Sequence, residues 1–167
     1  MKTLCVSAAL LTLALSACGG GTDTADGPLL KEKDREFIAA TFEGAEQEVR
    51  LVLFTGGEDC EYCDHTESFL NEIAAESSLI TVETLSLEKD AARAAELGID
   101  KTPGIAILGQ KDYGLRYFGF PTGYEFTTLI DTMRLAADGS PSVEPETVKE
   151  LATLEEEVRL TVFSTKT

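Results

Sequence analysis

Glu58-Asp59-Cys60-Glu61-Tyr62-Cys63-Asp64-His65 places two cysteines two residues apart, directly after a short apolar strand and at the opening of an amphipathic helix. The strand is read from Val49-Arg50-Leu51-Val52-Leu53-Phe54-Thr55, and Gly56-Gly57 supply the turn. The helix is expected from about Cys60 to Glu76, with Tyr62, Thr66, Phe69, Leu70 and Ile73 recurring on one face at spacings of three and four. Cys60 then lies at the helix N-terminus, where unpaired N–H groups and the positive end of the helix dipole favour a thiolate. Cys63 lies one turn inward, within reach to close a disulfide. The pattern predicts a redox dithiol in which Cys60 attacks and Cys63 resolves.

The length of 167 residues and the hydrophobic fraction of 43% suit one domain of ordinary size with appendages. The formal net charge of -16 repels polyanions, so no nucleic-acid partner is expected. Residues 1–17 read as an address: Lys2, an apolar run from Leu4 to Leu15 and then small residues, too short to span a bilayer as a helix. Leu15-Ser16-Ala17-Cys18 resembles the bacterial lipobox. That resemblance implies cleavage before Cys18, lipidation of Cys18, and a lipoprotein anchored in a membrane of the cell envelope on its extracytoplasmic side. An ordinary signal peptide with an incidental cysteine is the plainer alternative. Cleavage removes Cys5 and lipidation consumes Cys18, which leaves Cys60 and Cys63 only each other as partners. A bridge in that compartment is chemically permitted. A loop this small gains little chain-entropy stabilisation, which favours a redox role over a structural staple.

Residues 18–28 are rich in glycine and small polar residues and read as a flexible tether. Leu29 to Phe42 is expected to be a helix, with Leu30, Phe37, Ile38 and Thr41 at helical spacing. Leu79 to Leu87 reads as a second strand, and Glu88 to Leu97 as a helix with Ala91, Ala94, Ala95 and Leu97 inward and Gly98 as its stop. Lys101-Thr102-Pro103-Gly104 leads into Ile105-Ala106-Ile107-Leu108, and a polar turn over Gln110–Gly114 returns the chain through Leu115-Arg116-Tyr117-Phe118 as a hairpin. A helix from Thr122 to Ala137 carries Phe126, Leu129, Ile130 and Met133. The predicted order is β-α-β-α-β-β-α with an extra N-terminal helix, an α/β fold with a central mixed sheet flanked by helices.

A strand, a C-x-x-C at a helix start, and a Thr-Pro dipeptide before the third strand resemble the thioredoxin fold. Cys60-Glu61-Tyr62-Cys63, Gly98-Ile99-Asp100-Lys101-Thr102-Pro103 and the run from Tyr113 to Phe126 are most similar to the two-unit, glutaredoxin-like protein disulfide oxidoreductases. The resemblance spans residues 29–167, with 29–141 as the thioredoxin-like domain. It implies a thiol–disulfide oxidoreductase with Cys60 as nucleophile, Cys63 as resolving thiol, Thr102-Pro103 as a substrate-facing loop with the proline cis, and no cofactor. Tyr62, between the cysteines, is assigned with that loop to substrate binding. The implied partners are disulfide-bearing or dithiol envelope proteins and a redox donor or acceptor whose identity the sequence does not carry.

Other readings stand beside this one. A C-x-x-C also occurs as half of a zinc site, but only His65 and carboxylates remain as further ligands, so no metal is expected. His65 reads as a solvated residue able to tune the dithiol electrostatically. Other thiol–disulfide families often place a buried carboxylate six residues before the first cysteine; here that position is Phe54. Asp59, Glu61 and Asp64 flank the dithiol with negative charge, which opposes the helix dipole and predicts a weakly oxidising couple. The rival function is a non-catalytic binding lipoprotein whose dithiol stays oxidised. Finally, Pro145 to Glu156 reads as a helix and Val158 to Ser164 as a strand, echoing the approach to the first dithiol and suggesting that 142–167 begin an incomplete second unit. The first cysteine of a second C-x-x-C would fall after Thr167. A selenocysteine codon read as a stop is one account of that ending; a frameshift, a fragment or a natural truncation are the others.

Overall fold

β1, Val49–Thr55, is the strand on which the sheet is built: five of its seven residues are buried, as befits a strand with neighbours on both sides and helices on both faces. The computed structural model describes residues 27–56, 59–141 and 143–163. The expected signal peptide, Cys18 and the tether as far as residue 26 lie outside the described residues, as do residues 57–58, Ser142 and 164–167. β1 pairs in parallel with β2, Ile80–Ser86, and antiparallel with β3, Gly104–Leu108, which pairs antiparallel with β4, Asp112–Phe118. The mixed sheet has the order β2-β1-β3-β4 and, with its flanking helices, is the expected thioredoxin-like fold.

Because side chains alternate across a strand, β1 feeds two separate cores. Val49, Leu51 and Leu53 face a large cluster built with α1, Glu32–Phe42, α2, Cys63–Ala75, and α4, Tyr124–Asp138. Val52 and Phe54 face a smaller cluster under α3, Ala91–Glu96. Thr66, Phe69, Leu70 and Ile73 of α2 are buried as the periodicity predicts, as are Leu129, Ile130 and Met133 of α4, while Phe126 is half-buried.

Several boundaries differ from expectation, each with a local cause. α1 begins at Glu32, not Leu29, because the Glu72 carboxylate accepts the N–H groups of Leu29 and Leu30 at 2.9 and 3.0 Å and also pairs with Arg35 at 2.9 Å. α2 begins at Cys63, because Cys60 to Cys63 form a turn closed by the Cys63 N–H on the Cys60 carbonyl. α3 is shorter than predicted: the Asp90 carboxylate accepts the Ser86 N–H at 2.8 Å, holding 87–90 as a turn in competition with the helix. Of its predicted inward residues, Ala94 and Leu97 are buried; Ala91 and Ala95 are exposed, since so short a helix buries a single stripe. β4 starts at Asp112, inside the predicted turn, by means of a register shift at Ile107/Leu108 and a positive φ at Gly114, whose N–H bonds the Asp112 carboxylate.

At the C-terminal end α5, Pro145–Leu151, ends earlier than predicted and buries nothing. The strand predicted over Val158–Ser164 does not form among the described residues 158–163, where Phe163 is 93% exposed. β-branched residues favour a strand only where a neighbouring strand takes their hydrogen bonds, and no element pairs with this segment among the described residues.

Candidate functional site

The end of β1, the turn before α2 and the loop before β3 converge at one end of the sheet. Cys60 and Cys63 are joined as a disulfide, with Cα atoms 5.5 Å apart. Cys60 is partly exposed in the turn ahead of α2, whereas Cys63, the first helical residue, is 4% exposed. The Gly56 N–H points at the Cys63 sulfur at 3.3 Å. That donor comes from the residue directly after β1, so the strand end itself positions a positive partial charge on the inner sulfur.

The Thr102-Pro103 peptide bond is cis, and Pro103 is buried. Thr102 closes tightly on the dithiol turn: a Cβ on Gly56 would lie 2.7 Å from the Thr102 hydroxyl and 3.5 Å from the Cys60 Cβ. Gly56 is thus required for close approach as well as for its turn. It is a site residue, although in sequence Gly56-Gly57 signals only a turn. The disulfide opens into a cleft of about 470 Å³ bordered by Asp59, Cys60, Glu61, Tyr62, Thr102 and Pro103, with Leu87 and Glu88 closing the wall from the turn before α3. Glu88 belongs to no motif and is brought there only by the β2-α3 connection.

Tyr62 does not lie on the buried face of α2. It stands just outside the helix, 48% exposed, stacked at 6.4 Å and 6° on Phe120. Phe69 meets both Phe120 and Phe126 edge-on at 5.2 and 5.9 Å, so an aromatic chain ties the Tyr62 side of the cleft to the main core. His65 is exposed on α2. Phe54 is fully buried in the smaller core, an apolar side chain where a proton-accepting carboxylate would otherwise stand. Among the described residues no group of three or more His, Cys, Asp or Glu side chains is arranged to hold a metal ion.

The strand order, the cis proline and the C-x-x-C disulfide between β1 and α2 define a thioredoxin-like domain with a redox-type cysteine pair. Among solved structures, the chain is similar to the alkylhydroperoxide reductase component AhpF of Enterococcus faecalis, with 25% identity and a TM-score of 0.65 over 75% of this chain and 61% of that one. It is also similar to a protein disulfide oxidoreductase from Aeropyrum pernix, with 22% identity and a TM-score of 0.64 over 74% of this chain and 55% of that one. The N-terminal N/C domain of the same Enterococcus protein superimposes with 24% identity and a TM-score of 0.66, over 76% of this chain and 62% of that one. The chain therefore spans less than two thirds of the length of each of these structures. No family model matches the sequence, and no curated protein matches it.

Proposed function

We propose that this chain is a thiol–disulfide oxidoreductase of the cell envelope that exchanges disulfides with protein substrates through Cys60 and Cys63. The observation that carries the proposal is the asymmetry of the pair: one sulfur reaches the cleft, and the other is buried behind it and held by the Gly56 N–H. In the reducing direction, the Cys60 thiolate attacks one sulfur of a substrate disulfide. A bond forms between Cys60 and that sulfur, and the second substrate sulfur leaves as a thiolate and takes a proton. Cys63 then loses its proton and attacks the Cys60 sulfur. The substrate departs as a dithiol, and two electrons have left the Cys60/Cys63 pair, which closes as the observed disulfide. The reverse sequence oxidises a substrate dithiol. Thr102 and Pro103 line the cleft together with Cys60 and would bind the substrate backbone there in extended form.

Envelope placement and the lipid anchor rest on the lipobox-like Leu15-Ser16-Ala17-Cys18. Catalysis of insulin reduction by dithiothreitol tests the activity; absence of turnover, with a reduction potential far below that of thioredoxin, would instead favour a permanently oxidised binding protein.

The acidic cleft border and the lack of a cation between the cysteines disfavour the thiolate, so the potential is expected nearer about -270 mV than the strongly oxidising value of about -120 mV. Glu61→His removes a negative charge beside the dithiol and adds a potential positive one. It should raise the potential by on the order of 30 mV by stabilising the reduced form. An unchanged value in a glutathione redox titration would mean that Glu61 is screened from the sulfurs.

A further inference from the structure

The cleft is charged on one side of neutrality only. Asp59, Glu61 and Glu88 line it from three different positions along the chain, all three exposed, and none belongs to a salt bridge among the described residues. No basic side chain lines it among the described residues. Lys89 and Lys101 adjoin lining residues in sequence but stay out of the cleft, and the Lys101 ammonium instead lies over the Phe118 ring at 5.9 Å. The rest of the wall is Gly56, Cys60, Tyr62, Leu87, Thr102 and Pro103, with no cation to offset the carboxylates.

We infer that the cleft selects substrates whose reactive cysteine is flanked by lysine or arginine, with Asp59, Glu61 and Glu88 as the specificity-determining residues. This rests on the thiol–disulfide exchange proposed above, since the disulfide and the Thr102-Pro103 loop define the site and the carboxylates only bias what enters it. Two physical effects act together. A cleft bordered by one sign of charge concentrates oppositely charged partners and raises their association rate. Like charge on a partner makes the encounter unfavourable, so an acidic cysteine segment is rejected without any steric barrier. The carboxylates that make the thiolate less available thereby restore rate for a cationic substrate alone.

Three small disulfides separate these effects: cystamine, which is dicationic, bis(2-hydroxyethyl) disulfide, which is neutral, and dithiodipropionate, which is dianionic. The dithiothreitol-reduced, desalted protein is mixed with each, and the oxidation rate is measured at roughly 10 mM and about 0.5 M ionic strength. The same disulfides mixed with 2-mercaptoethanol give the ratio that a bare thiolate produces. The cystamine-to-dithiodipropionate ratio should exceed that reference by about tenfold at low salt and approach it at high salt. The excess should also shrink in the Asp59→Asn/Glu61→Gln/Glu88→Gln variant. Because a ratio cancels any change in thiolate fraction, the result is independent of a shift in the cysteine pKa. A low-salt ratio equal to the reference, or one that the triple substitution leaves unchanged, overturns the inference. No reaction with any of the three disulfides overturns the exchange function itself.

Discussion

Cys60→Ser and Cys63→Ser are each expected to lose turnover by on the order of 10³-fold or more, but to fail in different ways. Removing Cys60 leaves a thiol at the position that is 4% exposed in the disulfide form and roofed by the Gly56 N–H, so neither substrate nor alkylating agent reaches it readily. Removing Cys63 leaves the accessible thiol, which still attacks a substrate but has no partner to release it. Mixed disulfides should therefore accumulate on Cys63→Ser, and on Cys60→Ser hardly at all. Non-reducing gel analysis after acid trapping reports the accumulation, and alkylation rate against pH reports the accessibility and acidity of each remaining thiol. Turnover retained in either variant would end the two-cysteine mechanism. Faster alkylation of Cys60→Ser than of Cys63→Ser would exchange the two roles.

Gly109→Ala is the substitution expected to cost most in stability. Gly109 follows β3 directly, and α4 crosses so close that an added Cβ would lie 1.7 Å from the Ala136 carbonyl oxygen, 2.3 Å from its carbonyl carbon and 3.1 Å from its Cα. These are backbone atoms of a fifteen-residue helix, so no rotamer change relieves the overlap. The last turn of α4 must lift from the sheet, which disturbs Met133, Ala136 and Ala137, all buried in the main core. Overpacking of that kind costs about 3 kcal/mol. Urea unfolding measures it, and a loss below about 1 kcal/mol would mean that α4 yields without disturbing the core.

What the sequence made legible follows from how local each signal is. β1 is delimited by an apolar run ending in two glycines, and its predicted bounds coincide with the observed ones. The buried faces of α2 and α4 follow from spacing alone, because long helices sample their period several times. The cis Thr102-Pro103 bond is legible only through resemblance, since nothing in the dipeptide distinguishes it from the commoner trans form. What escapes is nonlocal. The Glu72 carboxylate that stops α1 from starting at Leu29 lies more than forty residues away. Tyr62 fits the helical repeat, yet it stands outside α2 as a half-exposed ring stacked on Phe120, which is distant along the chain. The Gly56 N–H and the Glu88 side chain enter the site through chain geometry, which no residue type announces. The strand expected over Val158–Ser164 fails because sequence supplies strand propensity but not a strand partner.

The sheet is unevenly upholstered, and the dithiol cleft lies across the seam. Seventeen buried residues fill the core beneath α1, α2 and α4, against seven beneath α3. Cys63 opens α2, which packs into the thick face, and Tyr62 is tied to that face through Phe120, while Leu87 and Glu88 hang from the turn leading into the six-residue α3. Regions with less buried apolar surface open at lower free energy. One jaw of the cleft is therefore stiff and holds the reacting atoms in register, and the other is compliant, able to give way to an incoming protein chain without loosening the grip on the sulfurs.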